Sequence, residues 1–202
     1  MLTDVHTHST FSADGETPLS GMLARAQELG IAYYGIAEHF DYDYLADGIL
    51  PEGKTVPMID ASAYFSEVRR LQESYAGRMH VLAGGEFGYT SNPAAHRMYQ
   101  ETIARFSPDF VVNSVHSVNG KDAWFSEYFA GKTREEAYRT YLEKVRESLD
   151  APYPYDIVAH IGYVSRNAPY SDNLLHYADF PDLFDDCLLY TSPSPRDSTS
   201  GR

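Results

Sequence analysis

The sequence predicts an α/β fold in which parallel strands alternate with outer helices and close into a barrel. Two observations lead there. Apolar runs of strand length alternate with longer amphipathic runs of helix length, the rhythm of repeated βα units. In addition, His8, His39, Glu86, His116 and His160 each fall at or just past the C-terminal end of a different predicted strand. In a (β/α) barrel those ends meet at one mouth, whereas an open doubly wound sheet spreads them along a line.

The first predicted strand is Leu2–His6, within Asp4-Val5-His6-Thr7-His8. Side chains alternate along a strand, so His6 and His8 face the same way. Two neutral imidazoles side by side chelate a transition metal, and Asp14 returns as an oxygen ligand from the loop beyond. Pro18–Leu29 reads as a helix, with Thr17 as cap, Pro18 in the first turn and Gly30 closing it. Tyr33–Glu38 is the second strand, followed by a polar loop holding Asp41, Asp43, Asp47 and Gly48. Asp60 caps a helix that runs to about Tyr75, and His80–Phe87 is a third strand interrupted by Gly84-Gly85. Pro93–Phe106 is the next helix and Asp109–Val115 a valine-rich fourth strand. Thr133–Leu149 is the strongest helix, with Glu135 and Glu136 in its first turn and basic residues towards its end, as the helix dipole favours. Ile157–Ile161 is the fifth strand. Three other histidines, His80, His96 and His176, lie away from strand ends and read as surface or structural residues.

At 202 residues and 43% hydrophobic content, the chain suffices for one domain with a substantial core. A formal net charge of −13 argues against nucleic-acid partners and anionic membrane surfaces. It leaves room for a phosphorylated small substrate, because divalent ions reverse the local field of a pocket. No apolar stretch approaches the ~18 residues of a membrane span. The single Cys187 cannot form an intramolecular disulfide, and the N-terminus shows no basic-then-apolar leader, so a cytoplasmic location is expected. There is no Gly-x-Ser-x-Gly elbow, and Gly84-Gly85 lacks the other glycines of a dinucleotide fingerprint. The 17 tyrosines read as core and rim residues.

His6-x-His8, Asp14, Glu38-His39, Glu86, Ser114-Val115-His116 and Ala159-His160 together resemble the motifs of the polymerase-and-histidinol-phosphatase (PHP) superfamily. The stretches Ser114–Gly120, Glu127-Tyr128-Phe129, Glu135–Tyr138 and Asp156–Tyr163 resemble its monofunctional histidinol-phosphatase branch. The resemblance covers roughly Leu2 to Asp186. It implies a distorted barrel of seven β/α units with two or three divalent ions (zinc, manganese or iron) at its mouth. By position, His6, His8 and Glu86 would hold one ion, and Glu86 would bridge to a second completed by His116 and His160. Asp14 and His39 would hold a third.

The implied activity is hydrolysis of L-histidinol phosphate to L-histidinol and phosphate in histidine biosynthesis. Its partner is thus a small-molecule phosphate monoester, its nucleophile a metal-bound hydroxide, and no protein nucleophile is assigned. Arg166, just beyond the fifth strand, is the first candidate for gripping the phosphate, with Arg97 second and Lys121 behind it. The acidic loop Asp41–Asp47 reads either as a contact for a cationic substrate end or as a solvated loop. The alternatives are a phosphoesterase acting on nucleotides or DNA 3′ ends, and an inactive truncated metal-binding remnant. Oligomeric state is left open.

Two departures from the family pattern stand out. Ala37-Glu38 occupies positions where many relatives have Asp or Thr-Asp before the histidine, and the late Asp-x-His motif is absent. Residues 187–202 are turn-forming, poor in hydrophobic residues and similar to translated adapter sequence. Residues 1–186 are therefore expected to form a PHP domain incomplete at its C-terminus, and 187–202 a non-native or disordered tail. A complete β/α barrel takes about 250 residues.

Overall fold

Alternation of side chains along the strands builds two apolar layers, and these set the architecture. The computed structural model describes residues 1–49 and 58–191. Along the chain these form β1 (Leu2–Asp4), α1 (Leu19–Glu28), β2 (Ile31–Phe40), α2 (Tyr42–Asp47), α3 (Ala61–Tyr75), β3 (His80–Gly88) and α4 (Pro93–Phe106). There follow β4 (Phe110–Ser114), β5 (Ser117–Val118), β6 (Lys121–Asp122), α5 (Ser126–Phe129), α6 (Arg134–Ser148), β7 (Ile157–Ala159) and α7 (Pro181–Thr191). Five strands pair in parallel in the order β1-β2-β3-β4-β7. β5 and β6 form a separate antiparallel hairpin.

One face of the sheet packs Ile36, Phe40, Val81, Ala83, Phe87 and Val111 under helical residues such as Leu23, Tyr64, Val68, Tyr99 and Leu142. The other face, one residue out of phase, gathers Ala37, Phe110 and Val112 with Val5, Leu82, Ile157 and Ala159. Apolar residues on both faces are what a buried parallel sheet requires. Continuing that inner row by two residues brings Ala37 to His39 and Gly84 to Glu86, so the sheet's interior periodicity aims these polar groups at the mouth. The sheet is strongly curled. Flat, its edge strands would stand roughly 19 Å apart, yet the rings of His6 and His160, just past β1 and β7, lie 5.0 Å apart. These five strands are the expected incomplete, distorted barrel.

Several expected elements differ in detail. β3 runs unbroken through Gly84-Gly85. A Cβ on Gly84 would come within 2.3 Å of the Phe110 ring, so the missing side chain makes room for a core aromatic and does not interrupt the strand. Thr17 does not cap α1; the Pro18 carbonyl accepts from Gly21 and Met22, while that of Thr17 accepts from Thr10. The expected polar loop after β2 is the helix α2, closed by Gly48 at φ 64° and tied down where Asp47 accepts from Thr90 and Asn92. The β5–β6 hairpin turns on Asn119-Gly120 with φ of 52° and 74°, a turn signal present in the sequence but not among the expected elements. Helix α7 crosses the expected boundary at 186–187, because Leu183 and Cys187 lie one turn apart on its buried side. Residues 192–202 of the expected tail lie outside the described residues.

Replacing Gly84 with alanine drives a methyl into the Phe110 ring and is expected to destabilise the protein by about 1–3 kcal/mol. Thermal unfolding checks this, and a smaller residue at 110 in the same chain should recover part of the loss.

Candidate metal centre

Each parallel strand delivers a polar residue to the same mouth. Past the end of β1, Thr7 bonds to β2 through its hydroxyl to the Gly35 carbonyl (2.9 Å) and through its own carbonyl from the Ala37 amide (2.9 Å). His6 and His8 flank Thr7 and both reach Glu86 Oε2, at 3.2 and 3.4 Å. From β2, His39 Nδ1 approaches the same oxygen at 3.3 Å, which follows from the register that pairs His39 with Glu86. Past β4 and β7, His116 Nε2 and His160 Nδ1 approach Glu86 Oε1 at 3.3 and 3.2 Å. Glu86 itself is fully buried. Asp14 Oδ2 lies 3.5 Å from His39 Nε2. All seven residues expected as ligands thus converge.

The closest groupings differ from the division that the resemblance implies. They are His6–Glu86–His160, His8–Asp14–His39 and His39–Asp41–His116, each with donor atoms within 4.8 Å of one another. The curl explains the first, since it sets the ends of β1 and β7 side by side. In the second, His8 stacks on His39 with centroids 4.3 Å apart and planes 4° from parallel. A neutral imidazole offers one lone pair, so His39 serves either Asp14's group through Nε2 or Asp41's group through Nδ1. Asp41 was expected only as part of an acidic loop, either solvated or touching a cationic substrate end, and not as a metal ligand. Its position two residues beyond His39 was the available signal that it turns back to the mouth.

The electrostatics divide the imidazoles. Burial would lower His39, but its bond to Asp14 and the charges of Glu86 and Asp41 outweigh burial and carry it up to about 9. His116 is also raised, burial being overcome by Glu86. Burial, helped by neighbouring cations, takes His8 down to about 4 and His160 to about 3. Burial alone would raise Glu86, yet the rings of His116 and His6 and the charges on His116 and His39 hold it well below the carboxylate range. The bond to His39 draws Asp14 down to about 2.

Among the described residues, His8 Nδ1, His39 Nδ1, His160 Nδ1 and Glu86 Oε1 are buried without a hydrogen-bond partner. Imidazole nitrogens and carboxylate oxygens aimed at common points, with their hydrogen-bonding capacity unspent, fit divalent cations of the zinc type.

A second buried carboxylate, Glu38, supports this arrangement. It accepts from the Ser9 amide (3.0 Å), the Ser9 hydroxyl (2.5 Å) and the Ser12 hydroxyl (2.5 Å). Ser12 Oγ in turn accepts from the His39 amide at 2.9 Å. The loop bearing His8 and Asp14 is thereby fastened to β2. Gly15 closes that loop against Ser9, where a Cβ would sit 1.7 Å from the Ser9 carbonyl oxygen.

The other candidates separate. Arg166 lies at the rim with its guanidinium 5.8 Å above the Trp124 ring, and Trp124 neighbours Tyr163, which packs on His116 and His160 at 5.2 and 5.8 Å. Arg97 is exposed on α4, and no described contact ties it to the cluster. Lys121 donates to the Glu127 carbonyl outside the cluster. The acidic run splits into three roles: Asp41 faces the cluster, Asp47 anchors Thr90 and Asn92, and Asp43 is fully buried against Gly88. Burial, with Asp41 nearby, pushes Asp43 up to about 7. His80 stacks on Tyr33, His96 bonds the Thr90 carbonyl and His176 pairs with Asp172, so none joins the cluster.

Comparison with known proteins places the chain in a family. A probable histidinol-phosphatase of Clostridium acetobutylicum is 24% identical over 190 residues, covering 94% of this chain and 69% of that protein. The histidinol-phosphatase of Lactococcus lactis is 28% identical over 185 residues, covering 87% of this chain and 62% of that protein. The crystal structure of the histidinol phosphate phosphatase from Lactococcus lactis, complexed with zinc, L-histidinol and phosphate, matches with a TM-score of 0.81 at 26% identity. That match covers 94% of this chain and 68% of the other. The chain thus spans roughly two thirds of the length of these relatives. The PHP domain model matches residues 4–191, and the chain belongs to the PHP domain family.

Proposed function

We propose that this chain is the metal-dependent phosphomonoesterase of histidine biosynthesis that hydrolyses L-histidinol phosphate to L-histidinol and phosphate. The observation that carries the reading is the convergence of five imidazoles on the buried Glu86, in a fold whose Lactococcus lactis counterpart holds zinc, L-histidinol and phosphate. Two or three zinc, manganese or iron ions would be held by His6, His8, Asp14, His39, Glu86, His116 and His160, with Asp41 as an alternative oxygen donor. Such ions supply Lewis acidity: they neutralise charge on phosphoryl oxygens and bring the ionisation of water into the neutral range.

The chain's own residues supply the rest. Glu86 presents both oxygens to opposite halves of the cluster, so one side chain aligns the two. Glu38 fixes the loop of His8 and Asp14 and, through Ser12, the backbone of His39. Arg166 offers a planar fork of donors at the rim, suited to a phosphate oxygen pair. The buried, single Cys187 and a biosynthetic role fit a cytoplasmic protein. Among the described residues, no helix is long and apolar enough to cross a membrane.

Zinc-loaded protein is expected to release phosphate from L-histidinol phosphate far faster than from simple aryl phosphates, in a colorimetric phosphate assay. E86Q should lose both bound zinc and at least about 100-fold of that rate. Equal rates on the two substrates would overturn the assignment. For Arg166, R166A is expected to raise KM about tenfold or more with a smaller change in kcat, and R166K to restore little, since an ammonium lacks the fork. A pH series provides a further check. His39 is raised to about 9 in the folded, metal-free protein, so its stabilisation is complete below about 6.5 and disappears as pH rises through 9. The metal-free Tm should therefore fall between pH 6.5 and 9. Over the same interval zinc affinity should rise, because the protons it displaces become easier to remove.

A further inference from the structure

Three buried tyrosines reach from outer helices to the sheet in one recurring way. The hydroxyl of Tyr64 on α3 lies between the carbonyl oxygens of Ile36 (3.1 Å) and Gly84 (2.7 Å). That of Tyr99 on α4 lies between Phe40 (2.9 Å) and Gly88 (2.7 Å). That of Tyr141 on α6 lies between Val115 (2.8 Å) and His160 (2.7 Å). Each hydroxyl has a single proton, shared between two carbonyls of neighbouring strands.

The Tyr141 contact differs from the others in where it falls. The β4–β7 ladder ends at the pair Ser114–Ala159, so Val115 and His160 are the first residues beyond it. His160 has φ of 59°, a left-handed conformation that a residue with a Cβ adopts only when its surroundings impose it. Its carbonyl receives the Tyr141 hydroxyl and the Tyr163 amide (2.8 Å), while its ring is turned to Glu86. Val115 immediately precedes His116. One buried hydroxyl therefore grips the backbone beside both histidines that face Glu86 Oε1.

We propose that Tyr141 is a positioning residue of the metal centre, holding the backbone at Val115 and His160 so that the rings of His116 and His160 keep their ligating orientation. This inference rests on reading those histidines as metal ligands. Tyr64 supplies the internal comparison, since it makes the same contact on β2 and β3 without touching a ligand residue.

The test is zinc affinity, measured by chelator competition on the wild type, Y141F and Y64F, together with amide hydrogen exchange on the metal-free proteins. Y141F is expected to weaken zinc binding roughly 10- to 100-fold, the range for residues that orient metal ligands. It should also speed exchange at the Tyr163 amide while leaving that of β4 unchanged. Y64F should lower Tm without changing zinc affinity, as a purely structural contact would. Wild-type zinc binding with unchanged affinity in Y141F, or equal losses in both variants, would overturn this inference alone. No zinc uptake by the wild type would overturn it together with the metal reading.

Discussion

Burying Glu86 inside a curled sheet removes its hydration, and only cationic or hydrogen-donating neighbours can replace that loss. Much of the structure follows from meeting this requirement. Each of the five parallel strands contributes, within it or just past its end, an imidazole or the carboxylate itself. Without the curl, His6 and His160 would stand on opposite edges of the sheet and Glu86 could meet only its nearest neighbours. The charges that offset its burial, mainly on His116 and His39, are the ones a divalent cation would displace. Positive charge at these positions is therefore what offsets the buried Glu86.

The two carboxylates Glu38 and Glu86 are both buried, yet their surroundings send them in opposite directions. Glu38 is raised, because burial outweighs the hydroxyls and amide of Ser9 and Ser12 that pull it down. Glu86 is lowered, because imidazolium neighbours outweigh its burial. Neutral donors satisfy a carboxylate's geometry without matching its charge, which suits a fastening role. Cationic partners match its charge and are exchangeable for metal, which suits a ligand.

How much of this was legible in the chain depends on how local each determinant is. Strand-end placement of His8, His39, Glu86, His116 and His160 could be read because a period of two and a run of valines are local patterns. The capping box of α6, with Thr133 and Glu136 bonding reciprocally, is an equally local pattern, of which the expectations included only Glu136 as an acid of the first turn. Helix α2 was not, since its aspartates suit loops and what holds it are Thr90 and Asn92, more than forty residues away. Gly84 misled for the same reason: the occupant of the space it leaves, Phe110, comes from another strand. The division of ligands into groups was also hidden, as it depends on how sharply the sheet bends. Glu38 could be seen as unusual beside His39, but its partners Ser9 and Ser12 become evident only once the loop is folded.

The meeting of His6 with His160 has a consequence for how the molecule is made. These residues are separated by most of the chain, so contact between them carries a large loop-closure entropy and a high contact order. During synthesis His6 and His8 precede their partners His39 and Glu86, and His160 follows only once β7 has been translated. At ribosomal speeds the interval from His6 to His160 is roughly ten to thirty seconds. His160 is thus the last of the five imidazoles to be translated, and its pairing with His6 has to wait for β7.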